Sequence, residues 1–207
     1  MAIIVREGVF HLETANTLYQ MKIDAFGVLT HLWYGAKTDD CMDYLLDYPD
    51  VGFSGNIYEA EERRTYSLDT LPQEYAASGV GDFRVPAICV THGDGSSALD
   101  LRYQEHHIKK GKYGIQGLPA VYAKETEAET LEITLKDTAS EVEVTLLYGV
   151  LADEDVITRS VVVKNRERHR SLLIAYIVYV WIFHMAIGNG CIFMEGILWS
   201  ARQKEHH

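Results

Sequence analysis

The sequence predicts an all-β protein, an antiparallel β-sandwich, on three observations. Two stretches alternate with period two. Leu131, Ile133 and Leu135 stand among Thr130, Glu132, Thr134 and Lys136, and Val142, Val144, Leu146 and Tyr148 are opposed by Glu141, Glu143 and Thr145. Such alternation gives a strand one apolar and one polar face, as in half-buried antiparallel sheet. Upstream, short runs rich in β-branched and aromatic residues are separated by frequent turns, the pattern of a sandwich. Finally, 207 residues are too few for a complete (β/α)8 barrel, which needs about 250.

In chain order, Ile3 to Val5 and Val9 to Leu12 flank Arg6-Glu7-Gly8, a hairpin connection. Thr17 to Ile23 and Gly27 to Tyr34 follow as strands. Ala87 to His92 leads into Gly93-Asp94-Gly95-Ser96, where Asp-Gly tolerates positive φ at little cost, and Leu99 to Ile108 is expected as the partner strand of that hairpin. The two alternating stretches come next, and Val156 to Lys164 adds one more strand. Residues 37–86 differ: Lys37 to Pro49 has no clean period, and Glu59 to Arg64 is a charge run. A long irregular segment inside a compact domain is uncommon and often functional, so function is expected there.

The tail changes character. After the basic run Lys164 to Ser171, Leu172 to Ile187 is apolar except for His184, and the apolar quality continues to Met194 across Gly188-Asn189-Gly190. This is marginal in length for a membrane span, and His184 and Asn189 would be costly in hydrocarbon, so the pattern disfavours one.

A composition of 47% hydrophobic and 24% charged residues is that of a globular chain. The net charge of −11 argues against nucleic acid, which requires clustered positive charge. Cys41, Cys89 and Cys191 are odd in number and lack C-x-x-C spacing, which fits a reducing compartment. With no secretory pattern in MAIIVREGVF, a cytoplasmic location is expected.

The chain carries no G-x-S-x-G elbow, P-loop or G-x-G-x-x-G. His106-His107 does not suggest a metal site, because adjacent strand residues face opposite sides. No catalytic residue, metal ligand or cofactor site is therefore assigned. Asp50, Arg64, Trp33 and Arg84 stand out in or beside the irregular segment, since carboxylate and guanidinium can hydrogen-bond a polyhydroxy ligand. On spacing alone, the plainer reading as turn and ion-pair residues prevails.

Longer motifs go further. Arg64-Thr65-Tyr66-Ser67-Leu68-Asp69-Thr70-Leu71-Pro72-Gln73-Glu74-Tyr75 and Gly81-Asp82-Phe83-Arg84-Val85-Pro86-Ala87 resemble the amino-terminal domain of bacterial α-galactosidases of glycoside hydrolase family 36. Asp100 to Tyr103, Gly117 to Tyr122, Glu129 to Leu131 and Val156 to Ser160 match in order, so the resemblance spans residues 3 to about 168. It implies a large antiparallel sandwich, with the catalytic (β/α)8 barrel absent from this chain. That barrel carries the two aspartates of a retaining mechanism, so this chain alone is expected to be inactive.

The resemblance also implies a homo-oligomer, a tetramer, in which the domain reaches a neighbouring subunit's pocket. It assigns substrate-binding roles to Asp50, in Asp50-Val51-Gly52-Phe53-Ser54, and to Arg64. Asp50 would accept hydrogen bonds from sugar hydroxyls while Arg64 orients that carboxylate or its loop. The implied reaction of the full-length enzyme is hydrolysis of terminal α-galactosyl units from melibiose- or raffinose-type oligosaccharides. A free-standing carbohydrate-binding or assembly module is the alternative, and a protein anchored by Leu172 to Met194 a third reading.

Near Arg168 the resemblance ends, and the chain divides into a sandwich domain, residues 1–168, and an aberrant tail, residues 169–207. Reverse-translated and read from the third base of each codon, Phe193 to Gln203 can give Tyr-Gly-Arg-His-Ser-Val-Glu-Arg-Gln, and Val180 to Gly188 can give Leu-Asp-Phe-Pro-Tyr-Gly-Asp-Trp. Both are family-like, which implies a frameshift near residues 168 to 173. The apolar tail then reflects a lost frame and not a membrane anchor.

Overall fold

The structure is a computed structural model that describes residues 2–50, 52, 57–61, 63–115, 117, 121–166 and 172–176, the last group as backbone. Two four-stranded antiparallel meanders face each other. The first runs β1 (Ile3–Arg6), β2 (Val9–Glu13), β3 (Thr17–Ile23) and β4 (Leu29–Ala36). The second runs β6 (Leu101–Lys110), β7 (Glu129–Asp137), β8 (Val142–Leu151) and β9 (Val156–Asn165). Among the described residues, helix is confined to one-turn 3-10 pieces at Met42–Leu45, Tyr58–Ala60 and Ala152–Glu154.

The alternation read from the sequence is the packing observed. Leu131, Ile133, Leu135, Val142, Val144 and Leu146 are buried against Ile3, Phe10, Leu12, Tyr19 and Met21 of the facing sheet. Apolar area leaves water on both inner faces at once, at roughly 25 cal/mol per Å². The first hairpin turns at Glu7 and Gly8, both with positive φ, and the predicted connection therefore stands. Two bulges break register, one between β3 and β4 at Leu32 and one between β6 and β7 at Gln104, and each adds local twist. Turns at opposite sheets are latched together: Ala15 N–H donates to the Ala152 carbonyl at 2.9 Å, and Asn16 binds Asp155 through its backbone and side-chain N–H groups.

One expected pairing does not form. The turn at Asp94-Gly95 closes, with Ser96 N–H and Oγ both donating to Asp94 Oδ1, and Gly95 takes φ +88°. Yet β5 (Ile88–Thr91) does not pair with β6. Its partner is β10 (Leu172–Tyr176), in a separate two-stranded antiparallel sheet, while β6 crosses to β7. The turn chemistry is local and reports only that the chain reverses; Leu99 and Leu101 leave the turn for the main core, and this commits β6 to the second meander. β10 lies past residue 168, and residues 177–207, with most of the apolar tail, lie outside the described residues. No described helix is long and apolar enough to cross a membrane.

Candidate functional site

The irregular segment is anchored at its C-terminal half. Residues 71–74 run beside β4: His31 N–H donates to the Pro72 carbonyl at 2.8 Å and Glu74 N–H to that of Leu29 at 2.9 Å. Farther on, Ala87 N–H donates to Ala76 at 2.7 Å, which ties the same segment to β5. The first sheet and the two-stranded sheet are thus joined through residues 71–88.

That pairing delivers Glu74 into the core. Its carboxylate accepts from Tyr19 Oη at 2.8 Å and Tyr148 Oη at 2.7 Å, one from each meander, and lies 3.0 Å from Arg159 Nη1. His31 Nδ1 is 3.5 Å away. Burial alone would raise this carboxyl's pKa, but the Arg159 charge, with His31 and the Tyr148 hydrogen bond, holds it down at about 2. Glu74 sits inside the family-like motif but has no periodic signal of its own, and sequence reasoning gave it no role.

Arg84 closes the next layer. Its guanidinium forks onto Asp82, with Nε to Oδ1 at 2.9 Å and Nη2 to Oδ2 at 2.7 Å, and Nη2 also donates to the Leu68 and Leu71 carbonyls. Gln73 Nε2 meets the same Asp82 at 2.7 Å, and Phe83 N–H donates to Asp69 at 2.8 Å. Arg84 is therefore a loop-holding residue. Trp33 is likewise occupied: its Nε1 donates to the Ala36 carbonyl at 3.3 Å, and its ring packs beside Val9, Leu32 and Met42. A Cβ at Gly35 would fall 2.6 Å from that indole, so glycine is needed there.

A second anchor holds the N-terminal half. Asp24 accepts from the N–H groups of Phe26 and Val28 at 2.8 Å and from Tyr66 Oη at 2.5 Å. Burial, then this hydrogen bond, pushes the Tyr66 phenol far above its ordinary range, so it stays a donor.

Between these anchors, the structure brings Asp50 and Arg64 together. Arg64 Nη2 lies 3.3 Å from Asp50 Oδ1, and the same oxygen accepts from Gly52 N–H at 2.9 Å. Gly52 takes φ +77°, and a Cβ built there would stand 4.0 Å from Arg64 Nη2. Both side chains are more than half exposed. The result is a solvent-facing carboxylate oriented from two sides, with lone pairs left to accept hydroxyl donors. A partly satisfied surface carboxylate of this kind suits binding more than proton transfer.

The histidines behave as expected from the strand period. His106 Nδ1 pairs with Tyr103 Oη at 2.7 Å and its ring packs edge-on to Phe10, whereas His107 is exposed beside Glu105. No group of His, Cys, Asp or Glu among the described residues could hold a metal. Cys41 and Cys89 are free and half-buried.

Comparison with known proteins sets this geometry in context. Residues 27–178 match the family model described as the glycosyl hydrolase family 36 N-terminal domain. The chain is 54% identical over 167 residues to the bifunctional α-galactosidase/sucrose kinase AgaSK of Mediterraneibacter gnavus, an alignment covering 80% of this chain and 18% of that protein. It superimposes on the solved galactosidase domain of AgaSK with a TM-score of 0.81 at 52% identity, covering 83% of this chain and 24% of that one. An AgaA α-galactosidase variant from Geobacillus stearothermophilus, solved in complex with raffinose, gives 0.76 at 42% identity, covering 81% and 23%. The chain spans about a fifth of the length of these relatives.

Proposed function

The chain belongs to glycosyl hydrolase family 36, through its N-terminal domain, and from that premise we propose that it is the sandwich portion of an α-galactosidase that lines the substrate pocket of the assembled enzyme with Asp50 and Arg64. The carrying observation is the exposed Asp50–Arg64 pair, formed by residues 14 positions apart in the irregular segment. Asp50 accepts hydrogen bonds from galactosyl hydroxyls, and Arg64 fixes the carboxylate that does so. The substrates are terminal α-galactosides of the melibiose and raffinose type, in keeping with the raffinose held by an AgaA variant. Hydrolysis itself belongs to the rest of the enzyme, so the 207-residue chain alone is inactive.

Assembly into a homo-oligomer, a tetramer, is supported by Phe83 and Val85, which are 82% and 72% exposed on the loop that Arg84 and Asp82 hold rigid. Apolar side chains presented on a fixed backbone cost little ordering entropy on docking. The cytoplasm is the proposed location, in keeping with the free Cys41 and Cys89.

The division into sandwich, residues 1–168, and out-of-frame tail, residues 169–207, belongs to this proposal, with β10 and the family match continuing to Tyr176 and residue 178. Resequencing the coding DNA across the tail tests it: a shifted frame running on into a barrel supports the broken-enzyme reading, and an uninterrupted present frame overturns it. In the frame-restored enzyme, Asp50→Ala should lower kcat/KM for raffinose about ten- to hundredfold, the scale of a charge-assisted hydrogen bond. Unchanged kinetics would remove Asp50 from the pocket.

A further inference from the structure

Beside the Asp24–Tyr66 anchor, the 3-10 turn Tyr58–Ala60 faces the loop carrying Gly79 and Gly81 and the start of β6. Between them lies an open cleft of about 460 Å³, whose lining sets the polar Tyr58, Glu59, Asp100 and Thr138 beside the apolar Ile57 and Val80. We propose that this cleft is a second saccharide-binding site, taking a hexopyranose unit of an oligosaccharide and separate from the Asp50–Arg64 pair.

Tyr58 supplies the platform. The residue is 94% exposed, so it adds almost nothing to folding, while Ala60 two residues on is fully buried and fixes the turn. An exposed aromatic ring presents a negative π face, and a pyranose has one face of weakly positive C–H groups that fits against it. A lone exposed tyrosine is ordinary; one at the rim of a polar, concave surface is the informative case.

The polar half of the cleft is held in place before any ligand arrives. Arg102, itself 12% exposed, donates from Nε to Asp100 Oδ1 at 2.6 Å and from Nη2 to Oδ2 at 2.9 Å, a fork that fixes the carboxylate plane. Its third arm reaches the Phe26 carbonyl at 2.6 Å, and Glu59 lies 3.6 Å from Nη2. Thr138 N–H donates to the Asp100 carbonyl at 3.1 Å, and its hydroxyl lies 3.3 Å from Oδ2. The oriented Asp100 carboxylate and the Thr138 hydroxyl therefore share the lining with Tyr58, and Glu59 adds a further acceptor from the tyrosine's own turn. Gly79 is fixed as glycine by its own packing: φ is +89°, and a Cβ there would meet Ala98 Cα at 2.7 Å.

The test uses the full 207-residue chain with raffinose and galactose as probes, followed by saturation-transfer NMR and calorimetry. The expected result is weak binding, on the order of a millimolar for so open a site. Tyr58→Ala should weaken it at least tenfold with an unchanged circular dichroism spectrum, Tyr58→Trp should retain it, and Tyr122→Ala, at an exposed ring outside the cleft, should leave it unchanged. Four results would overturn the proposal: no saturation transfer from the wild-type chain, equal binding by Tyr58→Ala, a Tyr58→Ala effect on oligomer size without one on sugar binding, or an equal loss on Tyr122→Ala. The Asp50 reading is judged separately, by kinetics of the frame-restored enzyme, so either can fail alone.

Discussion

Glu74 and Arg159 meet in the core at 3.0 Å with side chains 1% and 5% exposed, and Arg159 also donates from Nη2 to the Glu74 carbonyl at 2.9 Å. One residue belongs to the irregular segment and the other to β9 of the second meander. With Tyr19 and Tyr148 on the same carboxylate, the pair ties both sheets to the segment that carries the candidate site.

This pair predicts a particular acid response. The Glu74 carboxyl has a folded pKa of about 2 against an ordinary value of 4.5. A depressed folded pKa contributes stability that is complete above pH 4.5 and is lost as pH falls toward 2, on the order of 3 kcal/mol. Urea unfolding at a series of pH values should show that loss in the wild-type chain. Glu74→Gln should be destabilised at neutral pH, because Arg159 is left buried without its counter-charge, and should have a flatter slope below pH 4.5. Parallel slopes for the two proteins would refute the assignment.

Arg84→Lys keeps the charge but removes the fork onto Asp82 and the bonds to Leu68 and Leu71. A loss of roughly 1.5–3 kcal/mol is expected. Hydrogen exchange should accelerate at residues 67–84 while β7 and β8 stay protected. Uniform acceleration across both sheets would show that Arg84 supports the whole fold and not the loop.

Gly149→Ala should destabilise by about 1–3 kcal/mol, the usual range for overpacking. The new Cβ would stand 2.3 Å from Lys112 Cδ and 2.7 Å from Thr158 Oγ1. Because the lysine stem can move and the strand neighbour cannot, adding Lys112→Ala should recover only part of the loss. Full recovery in thermal unfolding would place the whole clash on Lys112.

Asp50→Ala and Arg64→Ala should each change stability by less than about 0.5 kcal/mol, since both side chains are largely exposed. Combined with a kinetic defect in the frame-restored enzyme, an unchanged melting temperature would separate ligand contact from support of the fold. A drop of several degrees would identify the pair as structural.

Much of this was legible in the sequence, for identifiable reasons. Leu131 to Leu135 and Val142 to Tyr148 carry their burial in their spacing, because a strand's period is short enough to read locally. The turn at Asp94-Gly95 was equally legible, but its strand partner was not: β5 pairs with a strand far along the chain, and that choice is made by packing. Asp50 and Arg64 were found through the motifs around them, and their contact closes a loop that no periodicity describes. Glu74 is one of 30 acidic residues, and only the fold shows that it alone meets Tyr19, Tyr148 and Arg159 together. Tyr58 gave no signal, since exposure is a property of the folded surface.

The pairing of β5 with β10 also sets a clock on synthesis. Thr91 and its partner Leu172 are separated by about 80 residues, which a ribosome adds in several seconds at roughly 5–20 residues per second. During that interval both meanders can be completed while β5 still presents an unpaired edge. The nascent chain is therefore most open to capture by another chain, or by a chaperone, after β9 has emerged and before β10 has. Slowing translation between codons 166 and 176 would lengthen that exposure without altering a single residue.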